Sequence, residues 1–127
     1  MLILPIKRKW YDMIRSGEKK EEYRDIKPYY SSRFKNMVSL NHVPEEEFVK
    51  ALRKMKYGLP FNEIVLRAGY SLLSPAIRVE GSLRIGRGKR KWGAEPGKEY
   101  YILRIEGKED LLTDDWKPWK RGDARAD

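Results

Sequence analysis

The stretch that decides the fold lies near the start of the chain and reads Gly17-Glu18-Lys19-Lys20-Glu21-Glu22-Tyr23-Arg24-Asp25. Seven of these nine residues are charged, and a run of this density is usually a solvated surface. This run, however, lies between a helical pattern and an aromatic turn, where the sequence predicts a strand over 19–26. A strand made of charges does not fill a core, so we expect something outside the protein to contact it.

The residues before the charged stretch predict a strand followed by a helix. Apolar residues alternate over 2–6, and Pro5 favours an edge strand because proline has no amide hydrogen. Helical spacing of Trp and apolar residues predicts a helix over 8–16. Gly17 then stands where a left-handed cap commonly ends a helix.

Two more helices are predicted after the charged stretch. The first is short, covers 29–37 and has Ser31 or Ser32 as its cap. The second covers 44–56, with Pro44 at its first position and acidic residues in its first turn. The second helix looks structural, and we assign it no chemistry.

Three segments alternate between apolar and polar residues, which predicts antiparallel strands with one buried and one wet face. They cover 63–70, 76–86 and 99–106. Gly81 lies inside the longest and predicts a bulge, as a small closing barrel requires. We therefore expect an α+β fold over 1–110, a small antiparallel β-barrel with flanking helices.

The tail over 111–127 has no sustained hydrophobic period. We expect it to be partly disordered, with Trp116 and Trp119 docking on the body of the domain.

The charge balance points to an anionic partner. The 127 residues include 28 Lys and Arg against 19 Asp and Glu, which gives a net charge of +9 and a pI near 9.7. Nucleic acid is the commonest such partner, because phosphate contacts by Lys and Arg release counterions.

Composition also excludes several kinds of site. The chain has no cysteine, which rules out disulfides, zinc–thiolate sites and cysteine nucleophiles. The only histidine is His42, in a predicted loop, so we expect no metal and no cofactor. No apolar run approaches the roughly 20 residues of a membrane span, so we expect no membrane contact and a cytoplasmic protein.

Side chains alternate along a strand, so Glu22 and Arg24 should project from one face and Glu21 and Tyr23 from the other. Lys19 has the parity of the second face. It lies just past the Gly17 cap, however, where the chain is still turning. We therefore expect Lys19 to converge on Glu22 and Arg24.

At this point the chain resembles a known family. Gly17-x-Lys19-x-x-Glu22-x-Arg24 matches the Gly-x-Lys-x-x-Glu-x-Arg motif of ASCH domains, which are small PUA-like barrels. The segment 10–16 resembles the first helix of that family. Three further stretches resemble elements found in a bacterial and phage branch of that family: Gly69-Tyr70, Ser74-Pro75 and the segment 91–103. The resemblance covers roughly residues 2–106.

This resemblance implies a cleft into which Lys19, Glu22 and Arg24 face, and RNA or a nucleotide-like molecule as ligand. Some members hydrolyse acylated pyrimidine nucleosides and some cleave single-stranded RNA. A metal-independent hydrolase of either type is the alternative, with Lys19 as base or nucleophile and Glu22 as proton carrier. In the amide-hydrolysing type a Thr occupies the position of Glu22, so this chain departs from that pattern.

The chemistry of the three residues leaves several roles open. A lysine base needs a lowered pKa; Arg24 would lower that of Lys19, whereas Glu22 would hold its proton on. In a recognition site, Arg24 would bind phosphate and Glu22 would accept from a base amino group. A salt-bridge network bracing the barrel mouth is the third role. For either functional role, we expect the three side chains to be exposed and their replacement by Ala to leave the fold intact.

A second basic segment precedes Trp92. Phosphate contacts are predicted for Arg87, Lys89, Arg90 and Lys91, with Gly86 and Gly88 letting the backbone approach. Trp92 would stack on an unpaired base, unless the loop is merely exposed and Trp92 packs on the core. Further stacking candidates are Tyr29, Tyr30 and Tyr70. A protein-interaction module that docks through the Trp-containing tail remains a third function.

Overall fold

The structure is a computed structural model that describes residues 1–114. Within them the chain forms three α-helices and five strands, in the order β1 (Leu2–Pro5), α1 (Arg8–Ser16), β2 (Glu21–Arg24), α2 (Pro28–Met37), α3 (Glu45–Lys54), β3 (Leu59–Arg67), β4 (Ala76–Arg87) and β5 (Glu99–Leu112), with a 3₁₀ turn at Arg90–Trp92 before β5. The predicted α+β class is confirmed. The predictions for Trp116 and Trp119 lie outside the described residues.

The five strands form one sheet in the order β1-β3-β4-β5-β2. The predicted antiparallel pairing holds for β3–β4, β4–β5 and β2–β5, whereas β1 runs parallel to β3. The sheet curls into a half-barrel, which is compatible with the predicted small barrel, but it is neither closed nor antiparallel throughout. The orientation of β1 could not be read from its sequence, because apolar residues alternate in the same way in parallel and antiparallel strands. The connection from β1 to β3 also passes through the helices and β2, so no tight hairpin forces the two strands to be antiparallel.

The core lies between the inner face of the sheet and the three helices. Its fully buried side chains include Leu4, Tyr11, Ile14, Phe34, Phe48, Leu52, Ile64, Leu66, Ile77, Leu83 and Tyr101. Helix α2 begins at Pro28 without a side-chain cap, so the prediction of a serine cap is wrong. Ser31 is instead buried, with its hydroxyl 2.6 Å from that of Tyr101, because it faces the sheet.

Two glycines shape the scaffold as predicted. Gly17 has φ of 90° and ends α1, with its amide donating to the Ile14 carbonyl. The pairing register of β4 with β5 shifts at Gly81, where a side-chain Cβ would stand 1.7 Å from the Arg104 carbonyl oxygen. Only glycine permits so close an approach of the two strands. The close approach of β4 and β5 at this register shift therefore requires glycine.

Candidate functional site

The charged strand β2 lies at an edge of the sheet and, within the described part of the chain, pairs only with β5. Glu22 lies opposite Leu103 and Arg24 opposite Tyr101, both core residues. The two charged side chains therefore point to the inner face of the half-barrel, as their parity predicted.

Lys19 joins them. Its Nζ lies 3.0 Å from Glu22 Oε1, while Arg24 Nη2 lies 2.7 Å from Glu22 Oε2. The backbone explains the convergence: the Lys19 amide donates to the carbonyl of Met13, so the chain is still wrapping the end of α1. The predicted meeting of the three residues, hereafter the ion network, is confirmed.

The ion network is buried, contrary to the expectation of exposed side chains. Lys19 is 1% exposed, Glu22 6% and Arg24 9%. The cavity that Lys19 lines measures about 120 Å³, below the usual size of a ligand pocket. A ligand reaching the network must therefore displace side chains, and replacement by Ala would leave a buried charge without its partner.

Two aromatic rings and one backbone carbonyl complete the surroundings of Lys19. Its Nζ lies 5.4 Å from the ring centre of Trp10 and 4.8 Å from that of Tyr23, and it donates to the Glu21 carbonyl. Burial lowers the pKa of the Lys19 amine below its usual value, although attraction by Glu22 opposes this. The amine is thus closer to neutrality than a surface lysine, which is the direction that base chemistry needs.

Arg24 is held on three sides. Besides the Glu22 carboxylate, its guanidinium donates to the Pro5 carbonyl at 2.9 Å and to the Tyr30 hydroxyl at 3.4 Å. Burial acts to lower the pKa of Arg24, but Glu22 and Tyr30 outweigh it and raise the pKa overall. Arg24 therefore stays charged, and its guanidinium is already bound by groups of the protein itself.

The outward-facing residues of β2 form a second set of contacts that sequence reasoning missed. The Tyr23 hydroxyl donates to Glu21 Oε1 at 2.7 Å and accepts the backbone amide of Lys89 at 2.8 Å. Glu21 is buried too, at 4% exposure. Strand parity placed both residues on this face, but nothing local indicated that Tyr23 would tie β2 to the loop after β4.

The last residue of β4 and the loop after it carry four exposed cations, Arg87, Lys89, Arg90 and Lys91, hereafter the basic loop. None of the four makes an ion pair with any residue that the structure describes. Gly88 packs directly on Tyr23: a Cβ there would lie 2.5 Å from the tyrosine ring. Gly88 thus serves the packing of the loop, and its predicted approach to a phosphate is not needed to explain it.

The aromatic candidates are scattered. Trp92 is 5% exposed, with the amines of Lys89 and Lys91 5.1 and 4.9 Å from its ring centre, so stacking on a base would require it to move. Tyr70 is 91% exposed but lies before β4, whereas the basic loop follows β4. The twelve residues of β4 separate them by roughly 35 Å along the strand. The structure does not bring Tyr70 to the basic loop.

The other tyrosines lie near α2. Tyr30 hydrogen-bonds Arg24, and Tyr29 is half exposed with the Arg33 guanidinium 3.5 Å from its ring centre. Tyr30 is thus part of the shell of the ion network, and the face of Tyr29 is already covered by Arg33.

Comparisons with known proteins identify no family for this chain. No protein-family model, curated protein or solved structure matches this chain. Over residues 1–114, no helix is long and apolar enough to cross a bilayer. The same residues hold no group of three or more His, Asp or Glu side chains placed to bind a metal ion.

Proposed function

We propose that this chain is an RNA- or nucleotide-binding domain of the ASCH type. In this proposal the basic loop contacts phosphates, and the Gly-x-Lys-x-x-Glu-x-Arg motif builds the polar site beside it. The observation that carries the proposal is the set of four exposed cations in the basic loop, which have no ion-pair partner among the described residues.

Physical reasons favour a phosphate-bearing partner for the basic loop. Exposed charges gain little from single surface ion pairs, but several cations on one loop release several counterions when they meet a polyanion. The loop is also held in place, because the Lys89 amide donates to Tyr23 and the Gly88 backbone packs against the same ring. A fixed loop loses less conformational entropy on binding.

The ion network supplies the second half of the proposal. Glu22 can accept from the amino group of a base and Arg24 can bind a phosphate, provided that a ligand opens their mutual contact. Tyr23 touches both halves, since its ring lies over the Lys19 amine and its hydroxyl holds the basic loop. Tyr23 therefore connects the basic loop to the shell of the network by direct contacts.

The salt dependence of RNA binding tests the proposal. Affinity for a short single-stranded RNA should fall steeply with salt, by roughly 0.7 in log–log slope for each phosphate contact. Changing Arg87, Lys89, Arg90 and Lys91 together to Gln should flatten the slope by a few units. The control changes Lys7, Lys50, Arg53 and Lys54 to Gln, which removes the same net charge elsewhere. Equal slopes for the two variants would remove the basic loop from the interface.

A hydrolase of a modified nucleoside or of single-stranded RNA is the second candidate. It is favoured by the lowered pKa of the Lys19 amine, which burial brings toward that of a general base. Lys19→Ala should then abolish turnover yet keep much of the substrate affinity of a folded variant. Turnover that survives this change would exclude Lys19 as base or nucleophile.

A further inference from the structure

The outer face of the sheet holds a cleft of about 500 Å³ that neither the motif nor the basic loop uses. Its chemistry comes from six lining residues: Lys56, Tyr57, Ser82, Arg84, Arg104 and Glu106. Its volume falls in the usual range of small-molecule pockets.

The register of the sheet gathers the polar residues of this cleft. Ser82 on β4 lies opposite Arg104 on β5, and Arg104 lies opposite Glu21 on β2. Residues directly opposite each other share a face, so one row of outward side chains crosses three strands. Arg84 reaches the same row diagonally, with its Nη2 3.3 Å from Glu21 Oε2.

The buried carboxylate of Glu21 contacts both Arg84 and Arg104. Its Oε2 lies 3.3 Å from Arg84 and 3.7 Å from Arg104, and its side chain is only 5% exposed, whereas theirs are 39% and 43% exposed. One carboxylate thus faces two guanidinium groups and leaves an excess positive charge. Their other N–H groups make no hydrogen bond to any part of the chain that the structure describes. Two guanidinium forks with unused N–H groups, gathered around one carboxylate, suit the oxygens of a phosphate.

The rim of the cleft adds groups that suit the rest of a nucleotide. Tyr57 is 75% exposed, so its ring is open to a base, and the Lys56 amine lies 5.4 Å from that ring. Glu106 is exposed at the rim, where its carboxylate can accept from a ribose hydroxyl or a base amino group. The negative charge of Glu106 would repel a phosphate, so we expect the phosphate to bind at the side of the cleft that holds Arg84 and Arg104.

We propose that this outer cleft binds one nucleotide unit of single-stranded RNA, with its phosphate on Arg84 and Arg104 and its base on Tyr57. The inference rests on the proposed function and extends it from the basic loop along the sheet. The basic loop meets this same outer face, because the Lys89 amide donates to Tyr23, which lies in the same cross-strand row as Arg84. A strand of RNA bound at the loop can therefore continue directly into the cleft.

The test follows backbone amide chemical shifts of the full chain during titration with octauridylate and, separately, with uridine 5′-monophosphate. We expect both probes to shift the amides of Ser82 and Arg104, and the octanucleotide to shift those of Lys89 and Lys91 as well. Arg104→Gln should lower the salt slope for the octanucleotide by about 0.7. Arg53→Gln is the matched control, because Arg53 also pairs with a glutamate, is 49% exposed and lies outside the cleft.

Tyr57→Ala provides a variant that leaves the Glu21 contacts untouched. Loss of one stacked base should weaken octauridylate binding between about fivefold and a hundredfold. Unchanged affinity in this variant, together with an unchanged salt slope in Arg104→Gln, would overturn the inference even if the protein binds RNA.

The pattern of shifts separates the two proposals. Shifts at the loop alone support the proposed function and overturn the outer cleft. Shifts at the cleft alone support the cleft and remove the loop from the interface. No shift with either probe overturns both. A last measurement adds poly-glutamate of equal charge and equal concentration to the complex with octauridylate. If poly-glutamate displaces the RNA, the cleft recognises negative charge rather than a nucleotide, and an acidic protein becomes the better partner.

Discussion

Arg24 donates from Nη2 to the carbonyl oxygen of Pro5 at 2.9 Å, and this bond joins the two edges of the sheet. Strands β2 and β1 are the last members of the order β1-β3-β4-β5-β2 and are not paired with each other. A side chain thus spans the open side of the half-barrel where a closed barrel would have a ladder of backbone hydrogen bonds.

The first prediction is that Arg24→Gln destabilises the fold. The change removes the bridge to Pro5 and leaves Glu22 short of a buried partner, which costs about 3–5 kcal/mol when one member of a buried pair is lost. Urea unfolding measures the difference. Arg53→Gln breaks the exposed pair with Glu99 and should cost about 1 kcal/mol or less. Similar losses in both variants would show that the ion network does not brace the fold.

The second prediction concerns pH. Burial lowers the pKa of Lys19 in the folded protein below its usual 10.5. The unfolded chain then binds more protons between the two pKa values, so the contribution of Lys19 to stability rises with pH across that window. The stability of the natural protein relative to Lys19→Met should therefore increase as the pH approaches 10.5. A constant or falling difference in the free energy of unfolding would contradict the assignment.

The third prediction tests how the basic loop is held. Tyr23→Phe removes the acceptor of the Lys89 amide and should speed hydrogen exchange at that amide, with a stability loss of about 1 kcal/mol. Tyr100→Phe is the matched control, because its hydroxyl accepts the amide of Glu95 in the same connection. Only Glu95 should exchange faster in the control. Unchanged protection of Lys89 in Tyr23→Phe would mean that other contacts hold the loop.

The fourth prediction concerns the close approach of β4 and β5 at Gly81. Gly81→Ala forces a Cβ into the backbone of Arg104, which cannot move aside without breaking the β4–β5 pairing, so we expect a loss of about 3 kcal/mol or more. Gly86→Ala, whose Cβ would lie 3.4 Å from the end of the Ile102 side chain, should be tolerated far better. Thermal unfolding compares the two. A normal melting temperature for Gly81→Ala would refute the close approach.

The sequence predicted those structural features that depend on residues close together in the chain, such as strand periodicity and helix capping. The period of two placed Glu22 and Arg24 on one face, and the positive φ of Gly17 followed from its place after a helix. Burial of the ion network was missed, because charged residues are mostly exposed and only the assembled partners make an exception. The contact of Glu21 with Arg84 was missed as well, since it joins residues 63 apart and depends on the pairing of three strands.

Among residues 1–114, the half-open sheet also has two edges without a paired strand, and edges are where sheets of separate molecules join into aggregates. Both edge strands are only four residues long. One ends at Pro5, which offers no amide to an incoming strand, and the other consists of Glu21, Glu22, Tyr23 and Arg24. A second chain docking on β2 would have to accommodate those charges beside its own backbone. The charged strand thus favours a monomeric sheet, a benefit independent of any ligand.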